Sequence, residues 1–103
     1  MSPWLKVAGH RAHLRLAKAY NGRGTVWETK GDLVKEIAEF DQALRLNPRY
    51  IGAYANRGLA RLRQGKTVEA EQDFKRRINL NRELKPLLKQ RIKEVKAGRV
   101  MKG

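Results

Sequence analysis

Along this 103-residue chain the apolar residues recur at intervals of three and four rather than alternating, which is the spacing of helices with one packed face. Trp4, Leu5, Val7, Ala8, Ala12, Leu14 and Leu16, with Arg and Lys between them, predict an N-terminal helix over 1–16 that starts at Ser2-Pro3. The pattern restarts after Gly31 and after Gly65, so each glycine marks a turn between two helices. Val34, Ile37, Phe40, Ala43 and Leu44 form the predicted stripe after the first turn, and Asn47-Pro48 ends that helix. Val68, Ala70, Phe74, Ile78 and Leu80 form the stripe after the second. Leu84, Leu87, Leu88, Ile92 and Val95 predict a capping helix over 85–98, with Pro86 in its first turn, Gly98 at its exit and a frayed tail over 99–103.

Two of these segments are copies of one another. Residues 17–50 align without gaps on 51–84, and the positions that agree include Ala19/Ala53, Tyr20/Tyr54, Arg23/Arg57, Gly24/Gly58, Gly31/Gly65, Phe40/Phe74 and Leu46/Leu80. A glycine inside a helix costs up to about 1 kcal/mol against alanine. Gly24 and Gly58 therefore predict places where two helices approach closely. One helical hairpin cannot bury its own apolar face, so the units are expected to stack, with the flanking helices or a second copy of the chain completing the core.

The period of 34, Tyr20 to Trp27 in the first helix, Glu36-x₃-Phe40 with Ala43 and Pro48 in the second, and the recurrence of Tyr54, Gly58, Gly65, Ala70-x₃-Phe74 and Asn81 resemble the tetratricopeptide repeat family. The resemblance implies an all-α chain, an α-α superhelix of two helical-hairpin repeats at 17–50 and 51–84 with an N-terminal helix and a C-terminal capping helix, forming a single domain over 1–103. Four residues depart from the family: Glu36 and Arg77 where it has small alanines, Arg61 where it has an aromatic and Arg82 where it has proline. A carboxylate buried at Glu36 without a partner would cost about 1–3 kcal/mol, so it is expected to find a cation, with Lys18 and Arg15 as the candidates, to reach water, or to lie at an altered interface.

Charge points to acidic partners and leaves their class open. The chain holds 24 Lys and Arg against 10 Asp and Glu, a formal net charge of +14. Residues 1–50 carry +4 and residues 51–103 carry +10, a field that draws acidic partners whatever the fold. No apolar run reaches the ~20 residues of a bilayer span, and the expectation is a soluble chain, cytoplasmic in location. No acidic residue precedes Glu28, as in a targeting peptide, but Ser2 is the only serine, against the serine-rich composition of such segments.

Catalytic chemistry finds little support. Without cysteine there is no disulfide, thiolate ligand or thiol nucleophile. His10 and His13 lack the further ligands that a metal site takes, Gly22-Arg23-Gly24 lacks a preceding strand and a third glycine, and the Glu and Asp residues of 36–39 and 69–73 sit among Lys and Arg as salt-bridge partners. The reading is a chain without catalytic activity or cofactor.

By resemblance the first helix of each unit lines a concave wall that takes a peptide. Lys18, Asn21, Thr25 and Glu28 are the expected wall residues of the first unit, Asn56, Leu59 and Arg63 those of the second, and Lys89 and Lys93 those of the capping helix. Arg63, Lys89 and Lys93 make that groove basic and select an acidic protein or peptide. Only Asn56 matches the residues with which family members grip a terminal carboxylate, so that grip is not expected. The competing class is RNA binding through the basic second half, with Arg57, Arg61, Arg63, Lys66, Lys75, Arg76 and Arg77 as its cations and Tyr50 and Tyr54 as its stacking rings.

Overall fold

The computed structural model describes the backbone of residues 3–102 and the side-chain surroundings of residues 9–86, Gln90 and Lys93. Four helices follow one another: α1 (Pro3–Lys30), α2 (Leu33–Leu46), α3 (Ile51–Arg63) and α4 (Thr67–Lys102). Among the described residues there is no strand. α1 packs on α2 and α3 on α4 as two hairpins, and α2 against α3 joins them, the all-α hairpin architecture that the apolar spacing predicts.

The duplication is visible at atomic detail. Gly31 and Gly65 take φ of 75° and 81°, a left-handed conformation that glycine adopts without steric cost. Each allows the same closing bonds: Asp32 N donates to Trp27 O at 3.0 Å and Lys66 N to Arg61 O at 2.8 Å, satisfying the last carbonyls of α1 and α3. The first turn adds a side-chain cap, with Asp32 accepting from Lys35 N at 3.1 Å. Gly24 lies under the Phe40 ring and Gly58 under the Phe74 ring. A Cβ at Gly58 would stand 2.6 Å from Phe74, and one at Gly24 would be closer still to Phe40. The expected close approaches are these two.

The core is built of small residues. Ala17, Phe40, Ala43, Leu44, Ala53, Ala60, Ala70 and Leu80 are buried, and Tyr20, Tyr50 and Tyr54 close around Ala43, Leu44 and Ala53. The stripes differ from the expected ones at three places: Val34, Val68 and Ile78 are exposed. The packed faces run through Glu36, Phe40, Ala43 and Leu44 and through Ala70, Asp73 and Leu80. Val34 and Val68 each stand two residues, or about 200° of helix, from Glu36 and Ala70 and so point to solvent.

The flanking segments are not separate elements. Residues 3–16 are the beginning of α1, and residues 85–98 continue α4 without a break, Pro86 lying inside the helix. The physical reason is Arg82. In the first hairpin Pro48 withholds an N–H and forces Asn47 out of the helical region, to φ −138° and ψ 89°. Arg82, at the matching position, keeps its N–H, and α4 runs on. The chain thus makes no turn that would fold 85–98 beside α3 as a cap. The side chains of Trp4, Leu5, Val7 and Ala8, and of Leu87, Leu88, Lys89, Ile92 and Val95, lie outside the described residues, as does Ser2 altogether.

Candidate functional site

α1 and α3, which belong to different hairpins, are linked through side chains. Asn56 of α3 donates through Nδ2 to Asn21 Oδ1 at 3.1 Å, and Asn21 Nδ2 in turn faces the Tyr50 hydroxyl at 3.4 Å. Two of the expected wall residues are thereby joined across the hairpins, through side chains that remain partly open to solvent. Lys18 and Leu59 are exposed on the same two helices. Thr25 is exposed as well, but its hydroxyl is spent on its own helix, donating to Gly22 O at 2.6 Å, and Thr29 repeats the motif to Thr25 O at 3.1 Å.

Arg63 departs from its expected part. Its guanidinium donates to Glu36 Oε2 at 3.0 Å and lies 3.4 Å from Glu28 Oε1, so it bridges α3 to both α2 and α1. Glu36 is only 1% exposed, and its Oε1 has no hydrogen-bond partner among the described residues. The buried carboxylate does find a cation, as burial demands, but the cation is Arg63; Arg15 and Lys18, the expected neighbours, stay exposed. Arg63 is therefore not a free basic selector, and Glu28 is its second anchor. Lys93 is exposed, on the extension of α4 and not on a helix folded beside α3. Lys89 lies outside the described residues.

A second set of charges holds each hairpin together. Arg23 Nε pairs with Glu39, and Arg57, 34 residues on, pairs through Nε and one terminal nitrogen with Asp73, also 34 residues on, at 3.0 and 2.7 Å. The two arginines lie over Tyr20 and Tyr54, 5.1 and 5.7 Å from the ring centroids. Arg57 has more: its other terminal nitrogen reaches Asp41 of α2 at 3.0 Å, and Arg61 joins Asp73 at 3.0 Å. Burial by itself pulls the Arg57 guanidinium down, and the hydrogen bonds to Asp73 and Asp41 outweigh it, so its pKa is held above the ordinary arginine value. Arg23 is raised by its hydrogen bond to Glu39. The sequence carried a signal for these pairs, since Arg23/Arg57 agree and Glu39/Asp73 are both acidic at the same offset.

These pairs redistribute the basic charge. Arg57, Arg61 and Arg63, three cations of the nucleic-acid reading, are consumed by Asp41, Asp73, Glu28 and Glu36. Lys66, Lys75, Arg76 and Arg77 of that reading are exposed, and the rings of Tyr50 and Tyr54 belong to the packing around Ala53. His10 and His13 are exposed, and among the described residues no three His, Asp or Glu side chains converge. No described helix is long and apolar enough to cross a membrane.

Residues 39–72, from the middle of α2 to the start of α4, match the profile of the tetratricopeptide repeat. Tetratricopeptide repeat protein 36 of Bos taurus and that of Homo sapiens are each 35% identical to the chain over 71 residues, which is 69% of the chain and 38% of either relative. The chain thus matches about two fifths of the length of those two proteins. An uncharacterized protein of Methanocaldococcus jannaschii, MJ0572, is 32% identical over 72 residues, 70% of the chain and 84% of the relative.

Proposed function

This chain belongs to the tetratricopeptide repeat family, and from that premise we propose that it is a non-catalytic protein-interaction scaffold that takes a peptide or protein segment along a groove walled by α1 and α3. The observation that carries the reading is the Asn56–Asn21–Tyr50 chain of side-chain hydrogen bonds across the two helices, with Leu59 exposed on the same helix as Asn56 and Lys18 on the same helix as Asn21. Amide groups held in place but still partly open to solvent can bond the backbone of an extended segment at little ordering cost, while Leu59 offers an apolar contact. Lys18 supplies the preference for an acidic partner; Arg63 and Glu28 stiffen the end of the groove.

The test is capture of immobilised peptides graded from acidic to basic by the full chain and by its Leu59→Glu, Asn56→Ala and Lys18→Glu variants. Weakened capture of acidic peptides with unchanged helicity supports the groove; capture indifferent to all three variants overturns it. A second reading is favoured by one observation: Lys75, Arg76, Arg82 and Lys85 are exposed on α4 without an ion pair among the described residues. Phosphate binding there predicts affinity for single-stranded RNA that falls with salt at a log-log slope of about −0.7 per phosphate contacted. A shallow slope removes it.

A further inference from the structure

We infer that the outer edge of α1 is a docking socket for an acidic amphipathic helix of another protein, one that carries a carboxylate followed two residues later by an Ala-Leu pair. The chain contains its own template for this contact. Ala43 and Leu44 of α2 pack on Ala53 of α3 between Tyr50 and Tyr54, while Asp41, two residues before Ala43, takes the free terminal nitrogen of Arg57 at 3.0 Å.

Thirty-four residues earlier the same socket stands empty. Leu16, Ala19, Tyr20 and Arg23, the counterparts of Tyr50, Ala53, Tyr54 and Arg57, line an open depression of about 270 Å³. Leu16 is 48% exposed, and Val26, the counterpart of the buried Ala60, is 50% exposed. Arg23 matches Arg57 in its acidic partner and its tyrosine, yet among the described residues it has no counterpart to Asp41: its side chain is 59% exposed against 17% for Arg57. An apolar plug and one carboxylate are what the edge lacks.

A second copy of the chain does not supply them. Its α2 is used internally, Ala43 and Leu44 being buried and Asp41 paired with Arg57. Its α4 presents Lys75, Arg77 and Ile78 where α2 has Asp41, Ala43 and Leu44, so stacking α4 on the next α1 would set Lys75 against Arg23 and an arginine where the socket takes an alanine. Residues 3–15 are part of α1 itself and cannot fold over it. No helix within residues 3–102 is left to fill the socket, and the occupant inferred here is a helix of another protein with the acid that α4 has replaced by lysine.

The probe is a labelled, capped peptide with the sequence of residues 32–47, titrated by anisotropy with the full chain, beside the same peptide bearing Asp41→Lys and matched in helicity. Saturable binding is expected, weakened about threefold or more by the charge change and about tenfold or more by Ala19→Arg or Val26→Lys in the protein, both at exposed positions. Leu59→Glu on the groove leaves it unchanged, which separates this contact from groove binding. No binding, binding indifferent to both edge variants, or light scattering that shows the chain assembling with itself through Ala19 would each overturn the proposal.

Discussion

Arg63 at the end of α3 donates to the buried Glu36 of α2 at 3.0 Å, and this one bond ties the second hairpin to the first at a position where the second hairpin itself has Ala70. Removing one member of a buried pair strands the other. Arg63→Met is expected to cost about 2–3 kcal/mol, less than a fully enclosed pair because the guanidinium is partly exposed. Glu36→Ala in the same chain should return most of that loss, since the orphaned carboxylate goes with it. Urea midpoints of the wild type, both single variants and the double variant check it; equal losses in Arg63→Met and the double variant refute the assignment.

Gly24 and Gly58 are expected to reject even a methyl group. The Phe40 and Phe74 rings occupy the space a Cβ would take, and overpacking of about 1–3 kcal/mol outweighs the gain in helix propensity. Gly22→Ala, whose Cβ would meet no atom within 4 Å among the described residues, should instead raise stability by up to about 1 kcal/mol. Thermal unfolding of the three alanine variants should therefore move in opposite directions.

The repeated pair Arg23–Glu39 and Arg57–Asp73 tests how burial sets the worth of one interaction. Asp73 is 3% exposed and holds two guanidiniums, whereas Arg23 is largely in water. Asp73→Asn is expected to destabilise by about 2–4 kcal/mol and Glu39→Gln by clearly less, because its arginine is screened by water. The raised pKa of Arg57 keeps it charged throughout the neutral range: its contribution is complete below the ordinary arginine pKa and is lost only as pH rises through the still higher folded value. The difference between the two variants should accordingly not change between pH 6 and 9, as denaturation at both pH values would show.

Much of the fold was legible because the chain states it twice. Gly31/Gly65, Gly24/Gly58 and Phe40/Phe74 agree at one offset, and each does the same work in both hairpins. Legibility failed where an outcome depended on a third helix. Arg63 and Glu36 are 27 residues apart, and their pairing follows from how α3 lies across α2, which periodicity does not encode. Val34 and Val68 fit the stripe by spacing, yet the neighbouring helix covers the opposite side of the turn. Pro86 suited the start of a cap, but a helix starts only where the preceding one has stopped.

That last point makes Arg82 the residue that decides the outline of the molecule. α4 has 36 residues, about 54 Å of helix, and the chain measures 54 Å along its longest axis. Arg82→Pro installs in the second hairpin the stop that Pro48 provides in the first: it removes the bond from residue 82 to the Ile78 carbonyl and drives Asn81 toward extended backbone. Helical content should fall by only a few residues' worth, since the segment after Pro86 can remain helical, while the longest dimension shortens as that segment turns from the axis. Small-angle scattering distinguishes the outcomes. An unchanged maximum dimension would mean that the helix tolerates proline at 82 as it does at 86, and that something other than the missing proline keeps α4 continuous.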